Sequence, residues 1–321
     1  MKFQSVGRFP TKKIGLTLWE EVNLLSHLHK ILNLVHFKIE SNMRLYIKIG
    51  VLILMVSCKQ TDETKKLTNV ENDTPKTKEQ QDSIIKEHLE NGAWKMGLYS
   101  REWQNEIDKG LAKDSTIAYL WQQKAMPLFK QGKYEVGMMY LDKAVKFDKN
   151  NEWQEYRAFM KCIFSKTYKE AIIDFEDCKK KNGNSYVMDH SYNFYIALSK
   201  IQLNEFSDAE KLLEETINQE LIKHGAEWIH YLDLFYLGIS RYEQGKYEEA
   251  IDAFDRTIQK YPGFAEALYY KGSSLHKMEK KEEAKKIMDE AIKYGKQGNS
   301  IKEDNSIYER YPYQIRWNLW D

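Results

Sequence analysis

The sequence predicts an all-α fold in which helical hairpins stack side by side into a solenoid. The first observation is the stretch 231–264, where two amphipathic runs are separated by Gly245 and ended by Pro262. The second is that the same spacing of small and aromatic residues recurs along the chain with a period of 34 residues. The third is physical: one such hairpin leaves an apolar face uncovered, and only neighbouring hairpins can bury it.

Each marked residue of the stretch 231–264 has a physical role. Gly238 and Ala250 are small enough to let the two helices approach closely. Gly245 tolerates the left-handed conformation that ends a helix, and Pro262 ends the second helix at the residue before it. The space beside the contact is filled by Leu237, Tyr247 and Phe254. This spacing resembles the tetratricopeptide repeat (TPR), and the resemblance implies a right-handed superhelical solenoid of TPR hairpins.

Five repeats share this phase, and a sixth at the N-terminal end is degenerate. The five are 118–151, 152–185, 190–223, 231–264 and 265–298. The degenerate repeat covers 84–117: its second helix is predicted from Arg101 to Ala112, whereas Asn91-Gly92 interrupts the first helix. Pro127 lies inside a predicted first helix, and we expect it to kink or shorten that helix because it lacks an amide hydrogen.

Residues 43–57 resemble the signal peptide of a bacterial lipoprotein. Arg44 and Lys48 supply a positive start, a short apolar run follows, and a small residue precedes Cys58. The resemblance implies that Cys58 carries lipid and is the first residue of the mature protein, and that residues 1–42 are an upstream extension. The alternative is that Cys58 ends a buried helix.

Residues 58–83 are predicted to form a flexible tether. They are charged and polar, with Leu67 and Val70 as the only aliphatic residues, and cannot bury enough apolar surface to offset the entropy of ordering. With a lipid at Cys58, the tether would hold the array in the cell envelope at the outer membrane. The array would face either the periplasm or the cell surface, and the acidic pair shortly after Cys58 resembles a surface-export signal.

Residues 299–321 lie beyond the last repeat and are dense in tyrosine and tryptophan. One interpretation is a cap, because an array needs something to cover its final apolar face. The other is a peptide that docks into a partner or into the groove of this protein. We favour the cap, which predicts that removing Tyr308–Asp321 exposes apolar surface.

The TPR resemblance also implies where a partner binds. In TPR arrays the first helix of each repeat lines a concave face, into which positions 2, 5, 9, 12 and 13 point. Here these positions are mostly aromatic and apolar, unlike the Lys, Asn and Arg of the arrays that grip C-terminal carboxylates. The alternative for about half of the rings is packing between adjacent helices. The predicted partner-binding residues are Tyr119, Met126, Phe129, Trp153, Tyr156, Met160, Phe194, Phe235, Tyr242 and Tyr269.

The sequence offers little for catalysis. It contains no phosphate-binding loop, nucleophile elbow or zinc-protease motif, and its 49 basic and 48 acidic residues nearly balance. We therefore predict no enzymatic activity, cofactor, metal or nucleic-acid partner. His224 and His230 flank an insertion and are interpreted as solvated loop histidines. Cys162 and Cys178 lie on facing sides of one repeat, where a disulfide or two buried thiols are both possible.

Three classes of function stay open. The one we favour is a lipid-anchored interaction module that binds a protein or peptide segment in the groove. The second is a dedicated inhibitor or immunity-type protein for a secreted toxin or enzyme, or a subunit of an outer-membrane assembly complex. The third is an enzyme with a site assembled across repeats, which the lack of convergent His, Asp and Cys residues disfavours.

Overall fold

The computed structural model describes residues 75–148 and 152–319. Within them, the only sheet is a short antiparallel hairpin, β1 Tyr186–Val187 with β2 His190–Ser191. All other regular elements are helices, so the predicted all-α repeat fold is confirmed. The α-helices are α1 Lys78–Ile85, α2 Arg101–Lys113, α3 Ala118–Lys130, α4 Tyr134–Phe147, α5 Glu152–Met160, α6 Tyr168–Asn182, α7 Tyr192–Gln202, α8 Phe206–His224, α9 Tyr231–Glu243, α10 Tyr247–Lys260, α11 Ala265–Lys277 and α12 Lys281–Lys296.

Shorter helical turns extend or link these helices. Two π-type turns continue α1 and α5, and they are Lys86–Glu90 and Lys161–Ser165. Four 3₁₀ turns lie in connections and near the C-terminus, and they are Ala93–Lys95, Ala226–Trp228, Asp304–Ile307 and Trp317–Leu319. Helices α3 to α12 form five successive hairpins, and each hairpin packs on the next. The main apolar core runs from the N-terminal end of the array to α11, as expected for an array whose units bury one another's faces. A second, smaller cluster at the last hairpin consists of Ala265, Leu268, Ala291 and Trp317.

Each of the five hairpins turns at a residue with positive φ, fifteen positions into its repeat. These residues are Gly132 (φ 73°), Lys166 (57°), Asn204 (62°), Gly245 (75°) and Glu279 (62°). The sequence indicated this conformation only where glycine is present. A residue with a β-carbon is disfavoured there by roughly 1–2 kcal/mol, so the packing of the hairpins imposes this turn on three unfavourable residues.

Small residues mark the closest helix contacts. A β-carbon added to Gly238 would lie 2.5 Å from Cε1 of Phe254 on the paired helix, and one added to Gly272 would lie 2.8 Å from Cγ of Met288. Both distances are shorter than van der Waals contact. The helices of α9–α10 and α11–α12 can therefore approach this closely only because these positions lack side chains.

The N-terminal end of the array begins earlier than the sequence analysis expected. Helix α1 starts at Lys78, inside the segment assigned to the tether, because Thr77 and Gln80 form a reciprocal capping box. The second helix of the degenerate repeat, α2, begins at Arg101 as predicted. The upstream extension, the signal peptide and Cys58 lie outside the described residues.

The two cysteines of the repeat 152–185 are buried and free. Ser199 donates a hydrogen bond to Sγ of Cys162 at 3.4 Å, and Cys178 lies on the inner face of α6. Burial raises the pKa of each thiol to about 12. Both thiols therefore pack as small apolar groups in this structure. Among the described helices, none is both long and apolar enough to cross a membrane.

Pro127 does not shorten its helix, which was one of the two effects expected from the sequence. Helix α3 runs through it for 13 residues, the same length as α9 and α11. A proline at this place leaves the carbonyl of Gln123 without its helical donor, since that carbonyl would accept from residue 127. The indole Nε1–H of Trp103 on α2 donates to this carbonyl at 3.2 Å. A neighbouring helix thus satisfies the backbone group that proline frees.

This replacement of a helical donor can be tested with a double-mutant cycle. Trp103→Phe keeps a ring in the core but removes the indole N–H, and an unsatisfied buried carbonyl costs about 1–3 kcal/mol of unfolding free energy. Pro127→Ala supplies an amide hydrogen to the same carbonyl. We therefore expect Trp103→Phe to be about 1 kcal/mol less damaging in the Pro127→Ala background. Denaturant unfolding of the four proteins measures this coupling, and strictly additive effects would contradict it.

Candidate functional site: the concave groove

The candidate site is the face formed by the first helices of the five hairpins, α3, α5, α7, α9 and α11, together with the turn that follows each of them and the first residue of the second helix. We call this face the groove. Of the ten residues predicted to line it, four are buried and cannot offer a surface to a partner in this structure. These four are Phe129 (1% exposed), Met160 (2%), Phe194 (1%) and Phe235 (0%). Their assignment to a binding surface is therefore corrected to core packing.

Phe235 shows why position 5 of a repeat can be core. Its ring lies 5.0 Å from that of Tyr236, 5.2 Å from Phe264 and 6.1 Å from Phe254 and Tyr270, measured between centroids. Large side chains from its own helix, from two neighbouring helices and from a loop therefore enclose it. In this repeat, the large neighbours leave no part of the position 5 ring for a ligand.

Six predicted residues stay partly exposed, and the structure brings three of them together. The rings of Tyr119 on α3 and Trp153 on α5 stack at 5.7 Å with an interplanar angle of 4°. Tyr156 meets Trp153 edge to face at 6.2 Å. We call Tyr119, Trp153 and Tyr156 the aromatic ladder. The other three partly exposed residues do not contribute a ring to it, and they are Met126, Tyr242 and Tyr269.

The C-terminal tail, residues 299–319, lies against the groove. Glu309 Oε2 accepts a hydrogen bond from the hydroxyl of Tyr134 at 2.5 Å. Lys166 Nζ donates to the carbonyl of Arg310 at 2.8 Å, and the buried hydroxyl of Tyr236 donates to the carbonyl of Pro312 at 2.9 Å. The chain thus docks a peptide of its own onto side chains from three repeats, in line with the second interpretation of the tail.

The end of the same tail also caps the last hairpin. The Trp317 indole N–H donates to Oε1 of Glu266 on α11 at 2.9 Å, and the backbone N–H of Ile315 and the hydroxyl of Ser300 point to the same oxygen at 3.3 and 2.7 Å. The ring lies directly on Gly295 of α12, where an added β-carbon would be 2.1 Å from it. Residues 309–312 of the tail therefore dock onto the groove, and Trp317 near its end caps the last hairpin.

Burial shapes the ionisation of the groups that hold the tail. Burial, and then the hydrogen bond to the carboxylate of Glu309, raise the pKa of Tyr134 to about 12. Burial lowers the pKa of Lys166, whose amino group lies 3.5 Å from Oε1 of Glu309. The loss of water around the charged amino group thus outweighs its attraction to Glu309.

One histidine contacts the start of the tail, and a second histidine packs against the first. His190 Nε2 lies 3.3 Å from Oε2 of Glu303, and its ring meets that of His230 edge to face at 4.8 Å. His230 is not the solvated loop residue expected from sequence, because it caps α9: its Nδ1 accepts from the backbone N–H of Leu232 at 3.3 Å. Burial, and then the nearby His190, lower the pKa of His230 to about 4.

Sequence reasoning missed most residues that contact the tail. Lys166, Tyr236 and His190 occupy positions 15, 6 and 1 of their repeats, none of which is among the positions transferred from the TPR resemblance. One signal was available for Lys166, since it stands where two other repeats have glycine. In residues 75–148 and 152–319, no cluster of three or more His, Cys, Asp or Glu side chains could hold a metal ion.

The neutral state of His230 makes stability depend on pH. An unfolded histidine takes up a proton near pH 6.5, whereas folded His230 resists it down to about pH 4, so the unfolding free energy falls as pH drops through this window. The pKa of Glu303 is held below its usual value, so protonation of Glu303 at still lower pH also reduces the unfolding free energy. Asp233, whose pKa burial raises to about 6, acts in the opposite sense.

We therefore expect the unfolding free energy of His230→Asn to fall less than that of the unchanged chain when the pH is lowered from 6.5 to 4. Asparagine keeps an acceptor for the backbone N–H of Leu232. Denaturant unfolding at several pH values measures the difference. The matched control is His224→Asn, which removes an exposed histidine. If both variants change the pH dependence equally, the buried position of His230 is not its cause.

The chain is similar to a protein family and to several solved helical-repeat structures. The profile of the tetratricopeptide repeat family matches residues 236–299. A TPR protein from Parabacteroides merdae ATCC 43184 is 16% identical with a TM-score of 0.53, over 70% of this chain and 81% of that one. YrrB, described as a TPR protein with an unusual peptide-binding site, is 21% identical with a TM-score of 0.43, over 59% of this chain and 91% of that one.

MamA from Desulfovibrio magneticus RS-1, from residue 41 to its end, is 14% identical with a TM-score of 0.48, over 57% of this chain and 97% of that one. No curated protein matches the chain. Because these identities are low, the similarity to the solved structures is evidence about the fold alone. The family profile identifies residues 236–299 as tetratricopeptide repeats, and the similar fold of the Parabacteroides merdae protein supports an all-α helical-repeat array for the described hairpins.

Proposed function

We propose that this chain is a protein-interaction module that binds a protein or peptide segment of a partner in its groove, and that a lipid on Cys58 anchors it to the outer membrane. The observation that carries the proposal is that the groove already holds a peptide segment. Side chains from three repeats, Tyr134, Lys166 and Tyr236, donate hydrogen bonds to the tail. A surface that binds its own tail in this way has the donors needed for another chain.

The aromatic ladder is the part of the groove best suited to a partner. Its rings belong to the first helices α3 and α5 and are partly exposed, and the tail contacts given above involve other residues. Trp94, which is half exposed, donates its indole N–H to the side chain of Gln123 on α3 at 3.3 Å. Rigid rings give a large contact area at low cost in side-chain entropy, as binding hot spots do.

The proposed anchor rests on the sequence between Cys58 and Thr77. That stretch is charged and polar, with Leu67 and Val70 as its only aliphatic residues, and it follows the cysteine that the signal-peptide resemblance marks for lipid. YrrB, by its description, has a peptide-binding site, and a peptide ligand would suit this chain as well.

The groove can be tested by photo-cross-linking in intact cells. We expect a photoreactive phenylalanine at Trp153 to give a defined adduct with another protein, and the same residue at Ile173, which is 67% exposed on α6, to give none. Tyr119→Asp should remove most of the Trp153 adduct, because losing a hot-spot ring costs about 2 kcal/mol or more in binding. Melting curves check that the variants fold. Equal adducts from both positions would contradict binding in the groove.

The anchor can be tested separately. Cys58→Ala should move the protein from the membrane fraction to the soluble fraction, because the substitution removes the thiol that carries the lipid. Fractionation with immunodetection measures this, and Cys178→Ala controls for loss of a cysteine in the array. Unchanged membrane association, or peptides from residues 1–42 in the purified protein, would rule out this anchor.

A further inference from the structure

The groove recognises the main chain of the tail. The hydroxyl of Tyr236, fully buried in α9, donates to the carbonyl of Pro312, and Lys166 donates to the carbonyl of Arg310. These carbonyls lie two residues apart, and a carbonyl is present at each position of any peptide. The two donors would therefore hold any segment that adopts this backbone conformation.

Side-chain contacts add selectivity to this main-chain grip. The carboxylate of Glu309 accepts from the hydroxyl of Tyr134 at 2.5 Å. Two residues later, Tyr311 is buried to 3% exposure, and two residues after that the ring of Tyr313 lies 5.6 Å from that of Tyr270. The groove thus fits a carboxylate followed at the second and fourth positions by aromatic rings.

The bound segment contains a tight turn. The backbone N–H of Gln314 donates to the carbonyl of Tyr311 at 3.2 Å, which places Pro312 and Tyr313 at the centre of a β-turn. Tyr313 has a φ of 62°, as the third residue of a type II turn requires. Lys166, its counterpart in the groove, also has a positive φ, of 57°. Non-glycine residues in this conformation cluster at ligand clamps and switch segments, because the surrounding contacts must hold them there.

The segment before the turn is weakly held compared with the cap. Ile307 is 78% exposed and Tyr308 is 38% exposed, whereas Trp317 is 6% exposed. Segments with little buried apolar area open more readily than the core to which they are attached. Residues 304–308 are therefore the part of the tail that opens first, and release of residues 309–313 must also withdraw the buried ring of Tyr311 from the groove. Trp317 can remain on Gly295 and Glu266 and continue to cap the last hairpin during this release.

We propose that residues 309–313 are an internal ligand of the groove that a partner must displace, and that the partner presents the same chemistry. The partner segment carries a carboxylate side chain followed at the second and fourth positions by aromatic side chains, across a turn that contains proline. This inference rests on the proposed function and adds to it the class of segment that is bound. The closed tail lowers the apparent affinity for the partner by the fraction of molecules in which the groove is open.

The test uses the full chain and a fluorescent peptide with the sequence of residues 307–315, IYERYPYQI. A loosened-tail variant combines Glu309→Gln, which removes the charge facing Lys166, with Tyr313→Ala, which removes the ring facing Tyr270. We expect this variant to bind the peptide at least about tenfold more tightly than the unchanged chain, as measured by fluorescence anisotropy. Glu309→Gln alone is the milder variant should the double variant melt early, and it should give a smaller increase in the same direction.

The contribution of Lys166 to peptide binding is tested by adding one of two matched substitutions to the loosened-tail variant. Lys166→Gly removes the amino group that contacts the tail and also relieves a positive φ. Asn204→Gly relieves an equivalent positive φ at the same repeat position, on an exposed residue. We expect Lys166→Gly to weaken peptide binding about tenfold or more, since it deletes a charged donor, and Asn204→Gly to leave it unchanged.

The other outcomes overturn the inference in distinguishable ways. Equal binding of the peptide to the unchanged and loosened-tail chains would show that the tail does not compete, and would leave groove binding itself intact. If the loosened-tail chain folds but does not bind the peptide, the groove does not recognise a carboxylate followed by aromatic side chains. The cross-linking at Trp153 tests the proposed function independently, because it does not use this peptide. A dimer of the unchanged chain in light scattering, lost in the loosened-tail variant, would make the occupant the tail of a second copy.

Discussion

A helical hairpin cannot bury both of its apolar faces, and the last hairpin of a stack has no successor to help it. In this molecule the uncovered face of α11 and α12 is closed by Trp317, which lies on Gly295 and donates to the buried carboxylate of Glu266. Burial raises the pKa of Glu266, and its three donors hold it in place. The position of the whole tail depends on this contact, because it fixes where the chain must return after crossing the groove.

The cap has a consequence for the groove. After α12 the tail first contacts His190. Glu309 and Arg310 then contact Tyr134 and Lys166. The chain returns toward α11 and α12 past Tyr236, which donates to the carbonyl of Pro312. The face available for binding is therefore divided. The tail occupies one part with specific contacts, and the aromatic ladder of α3 and α5 belongs to the rest. Any partner that uses the occupied part competes with a ligand that is covalently attached.

Local rules are overridden at several places, each time by a contact with another element. Pro127 stays inside α3 because an indole from α2 replaces the missing amide donor. Lys166, Asn204 and Glu279 adopt a conformation suited to glycine because the hairpins they join pack on both sides. Conflicts of this kind between local preference and tertiary structure are expected to be few and to concentrate near functional contacts. Lys166 follows that expectation, since its side chain holds the tail.

The sequence by itself determined the all-α repeat fold, since a spacing of small, aromatic and helix-ending residues repeated every 34 residues specifies helix lengths and closest contacts locally. It also allowed a cap to be expected. It missed the start of α1, although the capping box at Thr77 and Gln80 was a readable signal. Tertiary structure alone decided that Phe235 is core while Trp153 is not, and that the tail crosses the groove. The reason is that burial and docking depend on which side chains from distant repeats meet, and a repeat period carries no information about that.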